Sequence, residues 1–286
     1  MMPNQEKLVS VGLPVRNGGS LFKGALDALL SQTYRNIEFI ISDNASEDDT
    51  PSLSQSYAEK DKRLKYFRQK ENIGFARNWA FVLNEARGEY FMWAAHDDWW
   101  DPAFVGKMVK ALEENPNHVV AMSHFKVSRP GSEELEDTPL GEHDFTALSN
   151  SQLYKTMLSA KDNPIFEYGL WRRKFLLKLF SRLKPRCIED TVILMSEAAL
   201  AVRFYSVKEF LHVKYRDPRP LRERHYLGDY YKKPFPYTKF IWTGLRWHLT
   251  SGVIPFRRKL LVLRPWLGKA WFYKRKILKE WFGFIK

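Results

Sequence analysis

Apolar and polar positions along the first half of the chain switch repeatedly between two periods. Lys7 to Val15 (KLVSVGLPV) is a short, nearly continuous apolar run and predicts a buried strand. Ser20 to Gln32 (SLFKGALDALLSQ) then places Leu21, Ala25, Ala28 and Leu29 on one helical face, with Ser20 as its cap. The exchange continues with a strand at Ile37 to Ser42 and a helix at Asp48 to Glu59, then a strand at Leu64 to Arg68 and a helix at Phe75 to Ala86. Glu89 to Trp93 is the fourth strand and Ala103 to Glu114 the fourth helix. Strands alternating with helical stretches of about 10–15 residues predict βαβ units, and so an α/β, doubly wound, mostly parallel sheet flanked by helices.

The second half is less regular. Val119 to Val127 predicts a strand, Arg129 to Asp144 an exposed loop rich in Pro, Gly and acids, and Ser149 to Ala160 a helix. Phe166 to Trp171 reads as a strand and Arg172 to Phe180 as a helix. Glu189 to Ala201 carries a helical stripe through Val192, Met195, Ala199 and Val202, and Arg203 to Val207 and Phe210 to Tyr215 predict two short strands. From Asp217 onward, prolines at 218, 220, 234 and 236 break regular structure and aromatics alternate with Lys and Arg. Between Arg257 and Lys286, Leu267, Trp271, Leu278, Phe282 and Ile285 fall near one helical face, with Lys274, Arg275 and Lys279 elsewhere. The division expected is residues 1–216 as the nucleotide-binding and catalytic part and 217–286 as a basic, aromatic-rich helical appendage.

Charge sharpens that division. The net charge is +13, but Arg203 to Lys286 holds 21 Lys and Arg against 5 Asp and Glu, which is +16 and leaves −3 for the rest. A basic end on a slightly acidic body points to an anionic surface as partner. No apolar run approaches the roughly 18–20 residues that span a bilayer. A basic, Trp- and Phe-bearing amphipathic helix lying on an anionic membrane surface fits the pattern. Nucleic acid is the weaker partner, because the tail's aromatics cluster with Leu and Ile instead of lining a basic groove. Met1 to Lys7 is polar with no apolar run behind it, so no signal peptide is expected. The single cysteine, Cys187, allows no intramolecular disulfide and fits a reducing cytoplasm. Oligomeric state leaves no trace in the sequence.

Four stretches fall at predicted strand ends on one edge of the sheet, where open α/β sheets bind ligands. Leu13 to Gly19 (LPVRNGG) runs from strand into turn. In Ser42 to Thr50 (SDNASEDDT), Asp43 sits where an acid accepts hydrogen bonds from a base or ribose, while Ser46 or Asp48 is placed to cap the next helix. Glu71 to Asn78 (ENIGFARN) offers Arg77 near a helix start for a phosphate, or for a solvated face. Ala94 to Pro102 (AAHDDWWDP) carries the adjacent carboxylates Asp97 and Asp98, hard oxygen ligands suited to Mg²⁺ or Mn²⁺, with Asp101 left to cap the following helix. Trp99 and Trp100 either stack on a sugar face or belong to the core. No phosphate loop, dinucleotide fingerprint, nucleophile elbow or zinc-like His spacing is present.

Taken in order, VSVGLPVRNG, FIISDNASEDDT, ENIGFARNWAF, HDDWWDP, IEDTVIL and the strand end Tyr215-Arg216 resemble the family 2 glycosyltransferases of the GT-A fold. The resemblance covers Lys7 to Arg216. It implies an enzyme that takes a sugar from a nucleotide-diphosphate sugar and inverts its anomeric centre. Pro14, Val15 and Arg16, with Asn17 in the same turn, and Asp43 with Asn44 would hold the nucleoside. Asn72, Gly74 and Arg77 complete the donor edge with His96, Asp97 and Asp98. Asp97 matches the metal-binding acid of the family's DxD motif and Asp190 the acid of its ED motif, the catalytic base, a role that Glu189 shares or takes. One position departs: the first DxD acid is replaced by Ala95, so the metal role rests on Asp97 with Asp98 or His96. The acceptor expected is a lipid-linked or surface-polysaccharide glycan, and the location cytoplasmic, peripheral on the inner face of the membrane. The rival readings are a nucleotidyltransferase, which would release pyrophosphate, and a nucleic-acid-binding protein acting through its tail.

Overall fold

The structure is a computed structural model that describes residues 6–132, 134–138, 141–159, 168–181, 188–216 and 235–282. Cys187 lies outside them. In chain order the elements are β1 (Val9–Val15), α1 (Phe22–Leu30), β2 (Ile37–Asp43), α2 (Thr50–Lys60), β3 (Leu64–Arg68), α3 (Phe75–Glu85), β4 (Tyr90–Trp93), β5 (Trp99–Trp100), α4 (Phe104–Glu114) and β6 (Val120–Ser128). There follow α5 (Asn150–Ser159), β7 (Leu170–Arg172), α6 (Arg173–Phe180), α7 (Ile188–Ala201), β8 (Phe204–Tyr215), α8 (Pro236–Leu249), α9 (Phe256–Lys259), α10 (Leu263–Phe272) and α11 (Lys274–Phe282).

The chain divides into two compact units. The first comprises Met1–Thr146, Ile165–Arg186 and Arg203–Pro218. It holds one eight-stranded sheet in the order β3-β2-β1-β4-β7-β6-β8-β5. β3, β2, β1 and β4 are mutually parallel, as the βαβ pattern predicts. Beyond β4 the sheet becomes mixed: β7 runs antiparallel to β4 and β6, and β5 antiparallel to β8. On one face Val9, Val11 and Leu13 of β1 pack with Phe22, Leu26, Phe104, Met108 and Leu112, all buried. On the other Trp79 of α3 stacks on Trp93 with centroids 4.1 Å apart, and Trp93 Nε1 donates to the Trp79 carbonyl at 3.0 Å.

Two expectations are corrected here and one strand is added. Ser20 caps nothing: it sits inside a 3₁₀ turn, Gly19–Leu21, and α1 begins after Leu21 with no side-chain cap. The two strands expected at 203–207 and 210–215 are one twelve-residue strand, β8. Its pairing with β6 shifts register around His124, so a local bulge interrupts the alternation that reads as a break. Trp99 and Trp100, for which no strand is expected, form β5 opposite Val213 and His212.

The second unit comprises Ala147–Pro164, Cys187–Val202 and Arg219–Lys286. Of the expected stripe, Val192, Met195 and Ala199 belong to α7, a helix buried nearly all round with polar Ser196 and Glu197 included, and Val202 follows its end. Glu197 is satisfied there by Trp247 Nε1 at 2.7 Å and by the Ser251 hydroxyl. Pro236 does not break structure; it opens α8, because a residue without an N–H fits the first turn of a helix. The C-terminal stripe is divided between α10, with Leu267 and Trp271, and α11, with Leu278 and Phe282, and is interrupted at Tyr273. Ile285 and the Phe282 side chain lie outside the described residues. No helix among the described residues is long and apolar enough to cross a membrane.

Candidate active site

Parallel strands in register end level with one another, and that fact assembles the site. Val15 pairs with Asp43 and Asp43 with Arg68, while Gly12 pairs with Trp93. The turns after β1, β2 and β4 therefore open on the same edge of the first unit.

The β1 and β2 turns are stitched together. Asn17 and Ala45 both have positive φ, 52° and 56°, which Asn tolerates and Ala adopts only under constraint. The constraint is visible: Asn17 N–H donates to Ser46 Oγ at 2.9 Å and Glu47 N–H to Asn17 Oδ1 at 2.9 Å. Arg16 forms a 3.3 Å ion pair with Glu47, and its Nε is buried with no hydrogen-bond partner among the described residues. Asp49 holds the cap position of α2 without a side-chain cap bond, while Asp48 accepts the Thr50 N–H at 3.0 Å at the helix start and also the Gly19 N–H at 3.0 Å.

Asp43 is fully buried. Its Oδ1 accepts the Ser46 N–H at 2.8 Å and its Oδ2 the Tyr66 hydroxyl at 3.0 Å, with Arg68 Nε 3.7 Å away. Burial and the Asp43 carboxylate push the Tyr66 hydroxyl well above its ordinary pKa. Asp43 thus anchors the turn that presents Asn44. Asn44 N–H donates to the Val15 carbonyl, its Nδ2 to Asn72 Oδ1 at 2.8 Å, and its Oδ1 accepts the Ile73 N–H at 2.8 Å. Asn72 Oδ1 also accepts the Gly74 N–H at 3.0 Å. Gly74, at φ 85°, is the residue before α3, and Arg77 is exposed in that helix's first turn. Pro14 is half-buried beside Val15 at the end of β1.

The acidic pair separates into two environments. Asp98 is 4% exposed and both its oxygens are taken by β8: His212 Nε2 donates to Oδ2 at 2.9 Å and Tyr215 N–H to Oδ1 at 2.9 Å. Burial opposes its charge, but the His212 hydrogen bond, with Lys214 and the Tyr215 N–H, holds the carboxyl below the usual range. Asp97 is half-buried, and no described residue donates to its carboxylate other than its own N–H. Desolvation, aided by the charge on Asp98 and opposed by His96 and Lys214, raises its pKa. Trp100 is core, stacked on the His212 ring at 5.1 Å, whereas Trp99 is 45% exposed. Asp101 Oδ1 accepts the Ala103 N–H at 2.8 Å just before α4.

His212, Lys214, Tyr66 and Tyr168, whose ring lies 4.7 Å under Lys214 Nζ, carry no signal in the sequence. Each is one polar residue on a strand or turn distant in sequence, so no local pattern flags it. Asp190 lies in the second unit, buried in the first turn of α7 at 3% exposed. Glu189 is in the same turn, but its side chain lies outside the described residues.

Among solved structures, Staphylococcus aureus TarS residues 1–349, described in complex with UDP-GlcNAc, aligns with a TM-score of 0.71 at 15% identity, covering 95% of this chain and 75% of that one. The mannosyltransferase PcManGT from Pyrobaculum calidifontis, described with GDP-Man and Mn²⁺, aligns at 0.59 and 18% identity, covering 99% and 77%. These likenesses establish a GT-A fold. In sequence, an uncharacterised glycosyltransferase of Rickettsia typhi is 36% identical over 110 residues, which is 38% of this chain and 33% of the relative. EpsJ of Bacillus subtilis, also an uncharacterised glycosyltransferase, is 25% identical over 226 residues, 77% of this chain and 64% of EpsJ. The chain spans a third or less of the length of the Rickettsia relatives it matches. Residues 10–178, which include the β1, β2 and β4 turns and the Asp97-Asp98 pair, match Glycosyl transferase family 2, and the chain belongs to that family.

Proposed function

We propose that the chain moves a sugar from a nucleoside-diphosphate sugar to an acceptor hydroxyl, with inversion at the anomeric carbon. One observation carries the reading: Asp97 stands on the ligand-binding edge of the sheet, desolvated and without a described partner, while its neighbour Asp98 is fully engaged. A desolvated carboxylate with no hydrogen-bond donor beyond its own N–H is costly, and a bound cation offsets that cost.

Among the described residues no group of three or more His, Cys, Asp or Glu side chains stands ready to hold a metal. That fits Mg²⁺ or Mn²⁺ bound with a nucleotide, since such ions take one or two carboxylates and complete their shell with water and phosphate oxygens. Asp97 would hold the ion, with His96 beside it, and Asp98 would position the loop that carries both. When bound, the cation offsets the charge that grows on the leaving diphosphate. TarS with UDP-GlcNAc and PcManGT with GDP-Man and Mn²⁺ support a nucleotide-sugar donor and a divalent ion here.

The protein supplies the rest. Arg16, with its unpaired buried Nε, and the Asn17, Asn44 and Asn72 turns line the nucleoside end, and Arg77 is available to a phosphate. Asp190, or Glu189 beside it, takes the proton of the acceptor hydroxyl as that oxygen bonds the anomeric carbon; the sugar–phosphate C–O bond breaks and nucleoside diphosphate leaves. Residues 1–216 carry this chemistry and 217–286 serve association. A lipid-linked or surface-polysaccharide glycan as acceptor, reached from the cytoplasmic face of an anionic membrane, accounts for the basic aromatic end.

The test is calorimetric titration of a panel of nucleoside diphosphates, with and without Mn²⁺, into wild type and Asp97→Ala. Mn²⁺-dependent binding of one nucleotide, lost in the variant, supports the reading and names the donor base. No binding of any nucleotide in either condition overturns it.

A further inference from the structure

We infer that α9, α10 and α11 present an interfacial docking face for an anionic lipid bilayer, with Leu263, Leu267 and Trp271 entering the boundary between headgroups and acyl chains. The inference deepens the acceptor reading above and rests on it for its purpose, not for its geometry.

A helix in a water-soluble body normally turns its apolar residues inward. α10 does so on one side, where Trp266 is 1% exposed and donates from Nε1 to His248 Nδ1 at 3.0 Å. Its outer side is apolar as well. Leu263, Leu267 and Trp271 recur every four residues, so they share one stripe, and the latter two are 68% and 70% exposed. Phe256 and Leu260 are exposed further still, at 81% and 76%. Exposed apolar residues in such number mark a contact surface.

The charges around the stripe select its partner. Residues 235–282 contain 11 Lys and Arg and one acid, Glu280. Glu280 is occupied at the start of α8, accepting from the Tyr237 and Thr238 N–H groups at 2.8 and 3.0 Å and from Thr238 Oγ1 at 2.7 Å. Arg258 and Lys269 are spent on the Leu200 and Leu158 carbonyls. Arg257, Arg264, Arg275 and Lys279 are exposed and meet no carboxylate among the described residues. Lys274 Nζ lies 3.6 Å from the Trp271 ring centroid, a cation on an aromatic face suited to the headgroup zone. A second copy docking through the same patch would bring cations against cations. Single-stranded nucleic acid stacks on aromatics, and the exposed leucines would add nothing to that. An anionic bilayer takes both the apolar stripe and its cations.

The experiment is co-sedimentation of the full chain, carrying Asp97→Ala and without any nucleotide sugar, with vesicles of phosphatidylcholine alone or with about one third phosphatidylglycerol. Binding is expected to the anionic vesicles, weakening as salt rises. Leu267→Glu and Trp271→Glu, each at an exposed site, should each reduce it by about tenfold or more with unchanged Tm. Equal binding of neutral and anionic vesicles, or full binding by both Glu variants, overturns the inference. So does a wild-type dimer that the Glu variants dissociate in the absence of lipid, or oligonucleotide binding stronger than vesicle binding. Since Asp97→Ala removes donor chemistry, vesicle binding and sugar transfer fail separately.

Discussion

His212 donates from Nε2 to Oδ2 of Asp98 across 2.9 Å, both side chains buried, and so fastens the turn after β4 to the strand at the far side of the mixed sheet. The carboxylate is only an acceptor, so the proton of this bond belongs to His212. Removing the imidazole leaves a buried carboxylate with one donor fewer. His212→Ala is expected to lower stability by about 3 kcal/mol, read from denaturant unfolding, and to weaken Mn²⁺-dependent nucleotide binding through displaced Asp97. A variant as stable as wild type would remove Asp98 from its positioning role.

Asp97 behaves oppositely. Its desolvated charge is unfavourable in the nucleotide-free protein, so Asp97→Asn is expected to keep or raise Tm while abolishing the Mn²⁺ dependence of nucleotide binding. Thermal unfolding and calorimetry on the same preparation separate the two effects.

Asp190→Asn keeps the size of the side chain and removes its basicity. Turnover is expected to fall by about 10²–10⁴-fold with nucleotide affinity unchanged. A loss of less than tenfold, with Glu189→Gln taking the large effect, would pass the base role to Glu189.

His248 gives a pH dependence of known sign. Its ring is fully buried: Trp266 Nε1, a donor only, requires a bare Nδ1, and Nε2 lies 3.0 Å from the Ile193 carbonyl. Burial depresses its pKa from 6.5 to about 4. The neutral ring's contribution is complete above the unfolded value and is lost as pH falls from 6.5 toward 4, by about 3 kcal/mol at most. Carboxylates held below their ordinary values, such as Asp98 and Glu38, lose their contributions at lower pH. His118, lowered by burial and by Arg203, adds to the His248 slope. Urea unfolding between pH 7 and pH 5 should therefore show falling stability in wild type and a flatter profile in His248→Gln.

Two glycines in the second unit should respond with opposite signs. A Cβ on Gly244 would lie 2.1 Å from the Trp266 ring, so Gly244→Ala is expected to cost about 1–3 kcal/mol. A Cβ on Gly268, inside α10, would meet nothing within 4 Å, so Gly268→Ala should add about 0.5–1 kcal/mol. Denaturant midpoints of the two variants check both.

The amino-acid sequence by itself determined the parallel half of the sheet and the edge on which its turns gather. Period-two and period-3.6 patterns are local, and β1 through β4 with the helices between them and α4 each carry one such pattern, so strand, turn and helix follow from neighbours in the chain. The turn residues Asn17, Asp43, Asn44, Asn72, Gly74 and Asp97 were legible for the same reason: each lies at a strand end or in the turn that follows one. What only the tertiary structure decided depends on residues far apart. That Asp98 is spent and Asp97 is not follows from His212 and Tyr215, more than a hundred positions away. β5 has two residues and exists because β8 pairs with it, and β8 is continuous because a bulge against β6 absorbs the apparent break. In the tail, the amphipathic spacing was visible, but which side of α10 faces Trp266 and which faces outward is set by packing, since both sides are apolar and no local pattern distinguishes them.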